Sequence, residues 1–257
     1  MPNSLTQLLL PRQNNLLASL PGEVQQRIFP DLETLSLPRG YILYESGDSL
    51  DYVYFPTTAI VTLLYVMENG ATTEISLVGN EGIIGIASFM GGQSTLSRAV
   101  VQCEGRFFRL KTTLLLTEFN RHGNLMQLLL RYTLSLITQM SQTAVCNRHH
   151  TIDQQLCRFL LLSFDRLPSR CLMMTQELIA NMLGVRREGV TEAAGKLQRM
   201  GVIEYRRGHI KILDRAKLER LSCECYAVVK RETDRLLPKS ESLIKDPLLN
   251  QKAKALS

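Results

Sequence analysis

The segment Thr175-Gln176-Glu177-Leu178-Ile179-Ala180-Asn181-Met182-Leu183-Gly184-Val185-Arg186-Arg187-Glu188-Gly189-Val190 sets a small residue, a glycine and a branched apolar residue at steps of four and six. That spacing specifies two short helices crossing closely. Ala180 lets the backbones approach, Gly184 suits a turn of positive φ, and Val190 faces back into the crossing. Thr175 can cap the first helix, with Glu177 in its first turn, where negative charge suits the helix dipole. The second helix is expected from near Arg186 to about Arg199, with Val190, Ala193, Ala194 and Leu197 inward. Its polar side chains suit a major groove, where arginine pairs bidentately with guanine and glutamate accepts from cytosine. Met200-Gly201 then stops the helix, and a strand from Val202 to Tyr205 leads into the basic turn Arg206-Arg207-Gly208-His209. The chain returns as Ile210-Lys211-Ile212-Leu213, a hairpin suited to phosphate contacts. The expected DNA-contacting residues are Thr175, Arg186, Arg187, Glu188, Thr191, Glu192, Lys196, Arg206, Arg207 and His209.

Other elements must carry this pair. Residues 35–111 read as short strands: Tyr41 to Tyr44, Tyr52 to Phe55 ended by Pro56, Ala59 to Met67, Thr72 to Val78, Val100 to Cys103 and Arg106 to Leu110. Asn69-Gly70 marks a tight hairpin, and strands at this spacing imply a small barrel or roll. From Thr112 to about Asn147 the period becomes helical, with a helix of roughly 25 residues and about 38 Å. It has two apolar stripes. Leu125, Leu129, Tyr132 and Leu136 suit the barrel, whereas Met126, Leu130, Thr133, Ile137, Met140 and Ala144 suit a second copy of the same helix. The alternative is a helix buried twice within one monomer. Residues 152–166 form a further helix, and Asp214 to Leu237 reads as one amphipathic helix that could brace the winged part or meet a partner.

Composition narrows the class. The chain has 257 residues, of which 45% are apolar and 21% charged, in the range of globular proteins. No apolar run is long enough for a bilayer, so no membrane partner is expected, and Met1 to Leu10 lacks the pattern of a secretory signal. All six cysteines follow residue 102, an uneven distribution that favours reduced thiols and a cytoplasmic location over a disulfide scaffold. Residues 1–145 carry 9 Lys+Arg against 11 Asp+Glu, a net of −2; residues 146–257 carry 21 against 13, a net of +8. The back half is the one suited to a polyanion.

Barrel, long helix, helix-turn-helix and wing in this order resemble the Crp/Fnr family of bacterial transcription regulators, over about residues 20–214. The resemblance implies an α+β protein: an N-terminal cyclic-nucleotide-binding-like β-roll of jelly-roll type, a dimerisation helix and a C-terminal winged helix-turn-helix. The expected divisions are 1–118 for the sensor, 119–150 for the dimer helix and hinge and 151–237 for the DNA-binding part with an extra C-terminal helix beyond the family's core, and the composition of 238–257 reads as a polar, mobile tail. It implies a homodimer on two-fold DNA sites, with RNA polymerase as a partner and a small molecule as effector. The family's Arg-Glu pair in the recognition helix matches Arg187-Glu188, but a basic contact of cAMP-responsive members falls at Glu192.

The sensor half departs further. Relatives that bind cAMP hold it with Gly-Glu-Leu and Arg-Ser-Ala segments; here these read Gly85-Ile86-Ala87 and Ser97-Arg98-Ala99. The ribose-binding carboxylate has become isoleucine, and a one-residue shift on a strand turns the arginine to the opposite face. Thr143 matches a position that touches the adenine. These seven residues are the candidate ligand contacts, for a ligand other than cAMP or for none. The oxygen-sensing branch uses an amino-terminal cysteine cluster, which this sequence lacks.

An enzyme reading, a cupin-like small-barrel metalloenzyme with an accessory basic domain, needs histidines converging inside the barrel, and residues 35–111 contain none. No enzyme activity and no cofactor are expected. Cys146, His149, His150 and Cys157 match no common zinc spacing, and Cys223 and Cys225 are expected to diverge on a helix, so no metal is expected either.

Overall fold

The computed structural model describes residues 11–237 apart from Ala71, Gln93, Arg170 and Cys171. The expected tail, residues 238–257, lies outside the described residues. Two short helices, α1 (Asn15–Ala18) and α2 (Gly22–Ile28), precede strands β1 (Glu33–Leu37), β2 (Ile42–Tyr44), β3 (Tyr52–Pro56), β4 (Ile60–Val66), β5 (Thr72–Val78), β6 (Ser97–Cys103) and β7 (Gly105–Lys111). One antiparallel sheet has the order β1-β7-β3, and the other β2-β6-β4-β5. Val53, Phe55, Phe107 and Leu110 of the first meet Val61, Leu63, Ala99 and Val101 of the second in a shared buried core. Asn14 locks the entry to this roll. Its Oδ1 accepts from the amides of Leu16 and Leu17, while its Nδ2 donates to the Pro56 and Gly82 carbonyls at 2.9 and 2.8 Å.

β1 was not among the expected strands. Only Leu35 and Leu37 alternate apolar within it, and it is an edge strand with much of its surface open, so its sequence signal is faint.

Helix α3 (Thr112–Phe119) leads through a turn into α4 (Asn124–His149), 26 residues long. Leu125, Leu129, Tyr132 and Leu136 are buried against the roll, as their period requires. The second stripe divides. Leu130, Ile137 and Ala144 are exposed and Met126 is half-buried, but Thr133 is buried and Met140 packs against the roll core, so these last two leave the expected dimer face. Leu134, Ser141 and Val145 take their place on the outer face. A helix of 3.6 residues per turn drifts away from a strict heptad, which explains the exchange.

The C-terminal half comprises α5 (Ile152–Asp165), β8 (Leu172–Met173), α6 (Gln176–Leu183), α7 (Arg187–Arg199), β9 (Ile203–Arg206), β10 (His209–Ile212), α8 (Arg215–Leu221) and α9 (Glu224–Leu236). Thr151 and Gln154 form a reciprocal capping box at the start of α5. Its Leu156, Leu160 and Leu161 share a core with Ile60 and Leu77 of the roll and with α6 and α7. The expected single helix from Asp214 is two, because the chain extends at Ser222 and Cys223. α9 packs back along α4, with Ser135 Oγ and Thr233 Oγ1 2.9 Å apart, so its apolar face is used within the chain. No helix among the described residues is long and apolar enough to cross a membrane.

Glu74, on β5, is buried beside the halves' junction and its Oε2 has no hydrogen-bond partner. Burial pushes its carboxyl up to about 8, against the opposing charges of Arg158 and Arg166. The folded chain therefore keeps a proton that the unfolded chain releases near pH 4.5. The stability carried by that proton is full below the unfolded value and is lost as pH rises towards about 8, by at most about 1.4 kcal/mol per pH unit. Denaturant melts across that range are expected to show this slope, and Glu74→Gln is expected to flatten it.

Candidate nucleic-acid interface

Thr175 is the N-cap of α6, its hydroxyl oxygen accepting from the Leu178 amide at 3.3 Å. α6 ends at Gly184, whose φ of +66° is left-handed, and Arg186 is the extended N-cap of α7. Ala180 and Val190 are buried where the two helices meet. Val190, Ala193, Ala194 and Leu197 all face the core, as the sequence requires.

This packing leaves Arg186, Arg187, Glu188, Thr191 and Glu192 exposed. Arg187 Nε lies 3.9 Å from Glu177 Oε2, a solvent-screened pair that costs little to open. Thr191 Oγ1 sits 2.8 Å from Gln176 Oε1, which joins the first turn of α6 to the outer face of α7. Gln176 was not among the expected contacts. As the first residue of a capped helix beside Thr191, it shares the polar face, and its position one after the cap was the available signal.

Lys196 is differently placed. It turns to Asp153 of α5 and to Glu192 of its own helix, with Nζ 3.2 Å from a carboxylate oxygen of each, and its side chain stays 43% exposed. The charged turn Arg206-Arg207-Gly208 closes β9 on β10, with Arg206 opposite His209. β8 adds a third strand beside β10, a pairing only two residues long that sequence reasoning missed. Arg207 has φ +51° and Gly208 φ +82°, the two positive angles of a type I′ turn. An arginine in the left-handed region is uncommon, and here its charge is held at the tip of an exposed hairpin. The hairpin is fixed to its helix. Gln198 Oε1 accepts from the Tyr205 amide at 3.2 Å, and the Tyr205 hydroxyl donates to the Met174 carbonyl at 2.8 Å. Burial pushes the Tyr205 phenol up to about 12, with the charge of Arg187 opposing it.

In the roll a cavity of about 400 Å³ opens between the sheet of β4 and α4, lined by Tyr44, Leu63, Ile75, Ile86, Leu136 and Met140 among others. Of the candidate ligand residues it gathers Gly85, Ile86, Ala87 and Ser97. Arg98, Ala99 and Thr143 are outside its lining. Arg98 Nε is bound to Glu45 Oε2 at 2.6 Å, on the other face of β6 from Ser97, as the displaced register requires. Thr143 Oγ1 accepts from Arg158 Nη2 at 2.8 Å. No charged side chain lines the cavity among the described residues. Tyr44 is its buried phenol, which desolvation pushes up to about 12.

A β-roll enclosing a cavity, a long helix and a winged helix-turn-helix define a sensor-type roll joined to a DNA-binding head. Residues 34–122 match the cyclic nucleotide-binding domain family, and residues 154–221 the Crp-like helix-turn-helix domain family. The chain belongs to the Crp/Fnr family, whose members are transcription regulators and not enzymes. The cupin-like alternative is thereby set aside. FixK2 from Bradyrhizobium japonicum is similar in structure, with a TM-score of 0.63 at 17% identity over 75% of this chain and 98% of that one. TTHA1359, a Crp/Fnr regulator from Thermus thermophilus, has a TM-score of 0.57 at 23% identity, covering 74% and 98%. CLP from Xanthomonas campestris, described as c-di-GMP responsive, has a TM-score of 0.57 at 13% identity, covering 75% and 99%. At these identities the likeness is one of fold. No curated protein sequence matches the chain.

A Cβ at residue 184 would meet nothing within 4 Å, so its cost is purely conformational. Gly184→Ala is expected to destabilise the head by about 1–2 kcal/mol, measurable by thermal or denaturant unfolding.

Proposed function

We propose that the chain is a homodimeric, sequence-specific transcription regulator that acts in the cytoplasm, with RNA polymerase as its downstream partner and an effector other than cAMP. The observation that carries this reading is the exposed row of Arg186, Arg187, Glu188 and Thr191 on α7, beside a rigidly held hairpin tipped by Arg206 and Arg207. A helix end carrying arginine and glutamate can read base edges, while the hairpin's two arginines suit phosphates. Thr175, Glu192 and His209 belong to the same proposed surface, and Gln176 joins it.

The dimer is supported by the outer face of α4, where Leu130, Leu134, Ile137 and Val145 are all between 44% and 49% exposed. Four large apolar side chains in one row need a cover that the described residues do not supply. A second copy of the helix would provide it and would set the paired α7 helices about 34 Å apart, one turn of DNA. The effector reading rests on the cavity's chemistry. Its polar groups include Tyr44, Thr95 and Ser97, and the cation that would neutralise a cyclic phosphate is absent from its lining among the described residues. A largely apolar ligand suits it better.

Arg187→Ala is expected to weaken binding to the preferred site by roughly 1–3 kcal/mol and to relax sequence preference, read by footprinting on matched and mismatched sites. Arg207→Gly should behave differently. Glycine accepts φ +51° without strain, so the fold is kept while affinity falls about equally on all sequences and the log–log salt slope drops by about 1. Unchanged affinity in both variants would remove the proposed interface.

Paired Leu134→Glu and Ile137→Glu substitutions place like charges along the proposed dimer seam. Analytical ultracentrifugation is expected to show a dimer for the parent chain and a folded monomer for the variant, with loss of binding to two-fold sites.

A further inference from the structure

Cys146 lies in the last turn of α4 and His150 is its extended C-cap, while Cys223 and Cys225 lie at the junction of α8 and α9, Cys223 77 residues beyond Cys146. One potential ligand atom from each lies within 4.8 Å of all the others. The expectation that Cys223 and Cys225 diverge fails for a specific reason. Cys223 is the extended N-cap of α9 rather than a residue inside it, so the chain bends between the two sulfurs. His149 is exposed and Cys157 belongs to the core beneath α6 and α7, so neither joins the group.

We propose that Cys146, His150, Cys223 and Cys225 form a closed tetrahedral site for Zn²⁺ that fastens the end of α4 to the start of α9. Three thiolates and one imidazole are an established donor set for structural zinc. Zn–S bonds of about 2.3 Å and a Zn–N bond of about 2.0 Å put the edges of the tetrahedron at roughly 3.5–3.8 Å. Two edges already have that length: Cys146 Sγ to Cys223 Sγ, and Cys225 Sγ to His150 Nδ1, both 3.6 Å. A disulfide between Cys146 and Cys223 would use only half of the group.

The surroundings fit a cation. His150 presents Nδ1 to the sulfurs, while its Nε2 lies 3.2 Å from Glu224 Oε2. A ligating histidine commonly donates its second N–H to a carboxylate in this way, which fixes the ring and its tautomer. Gln155 Nε2 donates to the His150 carbonyl at 2.9 Å and holds the helix end in place. All three cysteines are buried, and with four protein ligands the site has no open position for substrate. Zn²⁺ with three thiolates carries one net negative charge, and buried Arg158, whose charge acts on Cys146 and Cys225, offsets it. Its Nε has no hydrogen-bond partner, so the guanidinium is not spent on another group there. The thiol protons leave to solvent when the metal binds.

Elemental analysis of the full-length chain, purified under reducing conditions, is expected to give one zinc per chain. Cobalt(II) in place of zinc should yield thiolate charge-transfer and intense tetrahedral d–d bands that saturate at one equivalent. The double variant Cys223→Ser, Cys225→Ser should lose both signals, whereas Cys157→Ser with His149→Ala should keep them. Glu224→Gln, at an exposed position, should stay folded and bind zinc about 10–100-fold more weakly. Should the double variant fail to fold, the cobalt spectrum of the parent chain decides alone. Zinc retained by a folded double variant, meaning an adventitious ion only, overturns the proposal. So does a parent chain that gives no tetrahedral cobalt spectrum, or one that carries a Cys146–Cys223 disulfide after reducing purification.

Discussion

Helix α4 has to pack on two neighbours within the chain and carry an open apolar row besides, all with 26 residues, and the rest of the molecule is arranged around that demand. One face closes the roll through Leu125, Leu129, Tyr132 and Leu136. A second meets α9, and the third holds the open row from Leu130 to Val145. An apolar stripe takes up about 100° of a helix surface, so three such faces leave little room for polar residues to sit idle. The polar residues that do face inward are therefore tied down. Gln139 Nε2 donates to Ser76 Oγ at 2.7 Å and to the Leu77 carbonyl at 3.2 Å, and Thr133 and Thr143 return their hydroxyls to the helix backbone.

The reading head is built on the opposite principle. Its fold comes from buried apolar side chains, a capped helix and the left-handed glycines Gly184, Gly201 and Gly208, while the charges of α6, α7 and the hairpin stay outside. Exposed ion pairs such as Arg187–Glu177 add little to stability. Arg187 can thus exchange that weak pair for a polyanion without disturbing the core. Lys196 differs in its partners, since it pairs with Asp153 of α5 as well as with Glu192 of its own helix.

What could be read in the sequence follows from range. The helix-turn-helix was legible because Ala180, Gly184 and Val190 act within a dozen residues, and the hairpin because turn and strands are contiguous. The stripe of Leu125, Leu129, Tyr132 and Leu136 was legible for the same reason. The exposed row was only half legible: Leu130, Ile137 and Ala144 follow the heptad, but Thr133 is buried and Met140 packs on the roll core, which depends on strands some fifty or more residues earlier in the chain. The register of Arg98 could be inferred from a single displaced residue, since strand geometry converts one step into a change of face. The meeting of Cys146 and His150 with Cys223 and Cys225 had no local signal, because it depends on where α9 begins and on how it returns along α4.

The two halves are joined by buried charge as well as by apolar contact, and this fixes their arrangement more sharply than contact area would. Arg166, at the end of α5, donates through Nε to Glu81 Oε1 at 2.8 Å, through Nη1 to the Leu162 carbonyl at 2.9 Å and through Nη2 to Gln139 Oε1. It thus touches the turn after β5, the middle of α4 and its own helix at once. Removing one partner of a buried pair leaves an uncompensated charge, at a cost of about 3–5 kcal/mol. Apolar surfaces could slide past one another at smaller cost, but a guanidinium with three partners in fixed directions cannot. The loop that bears Glu81 runs directly into Ile83 and Ile84 of the cavity wall, so the roll's cavity and the start of the reading head share one polar anchor.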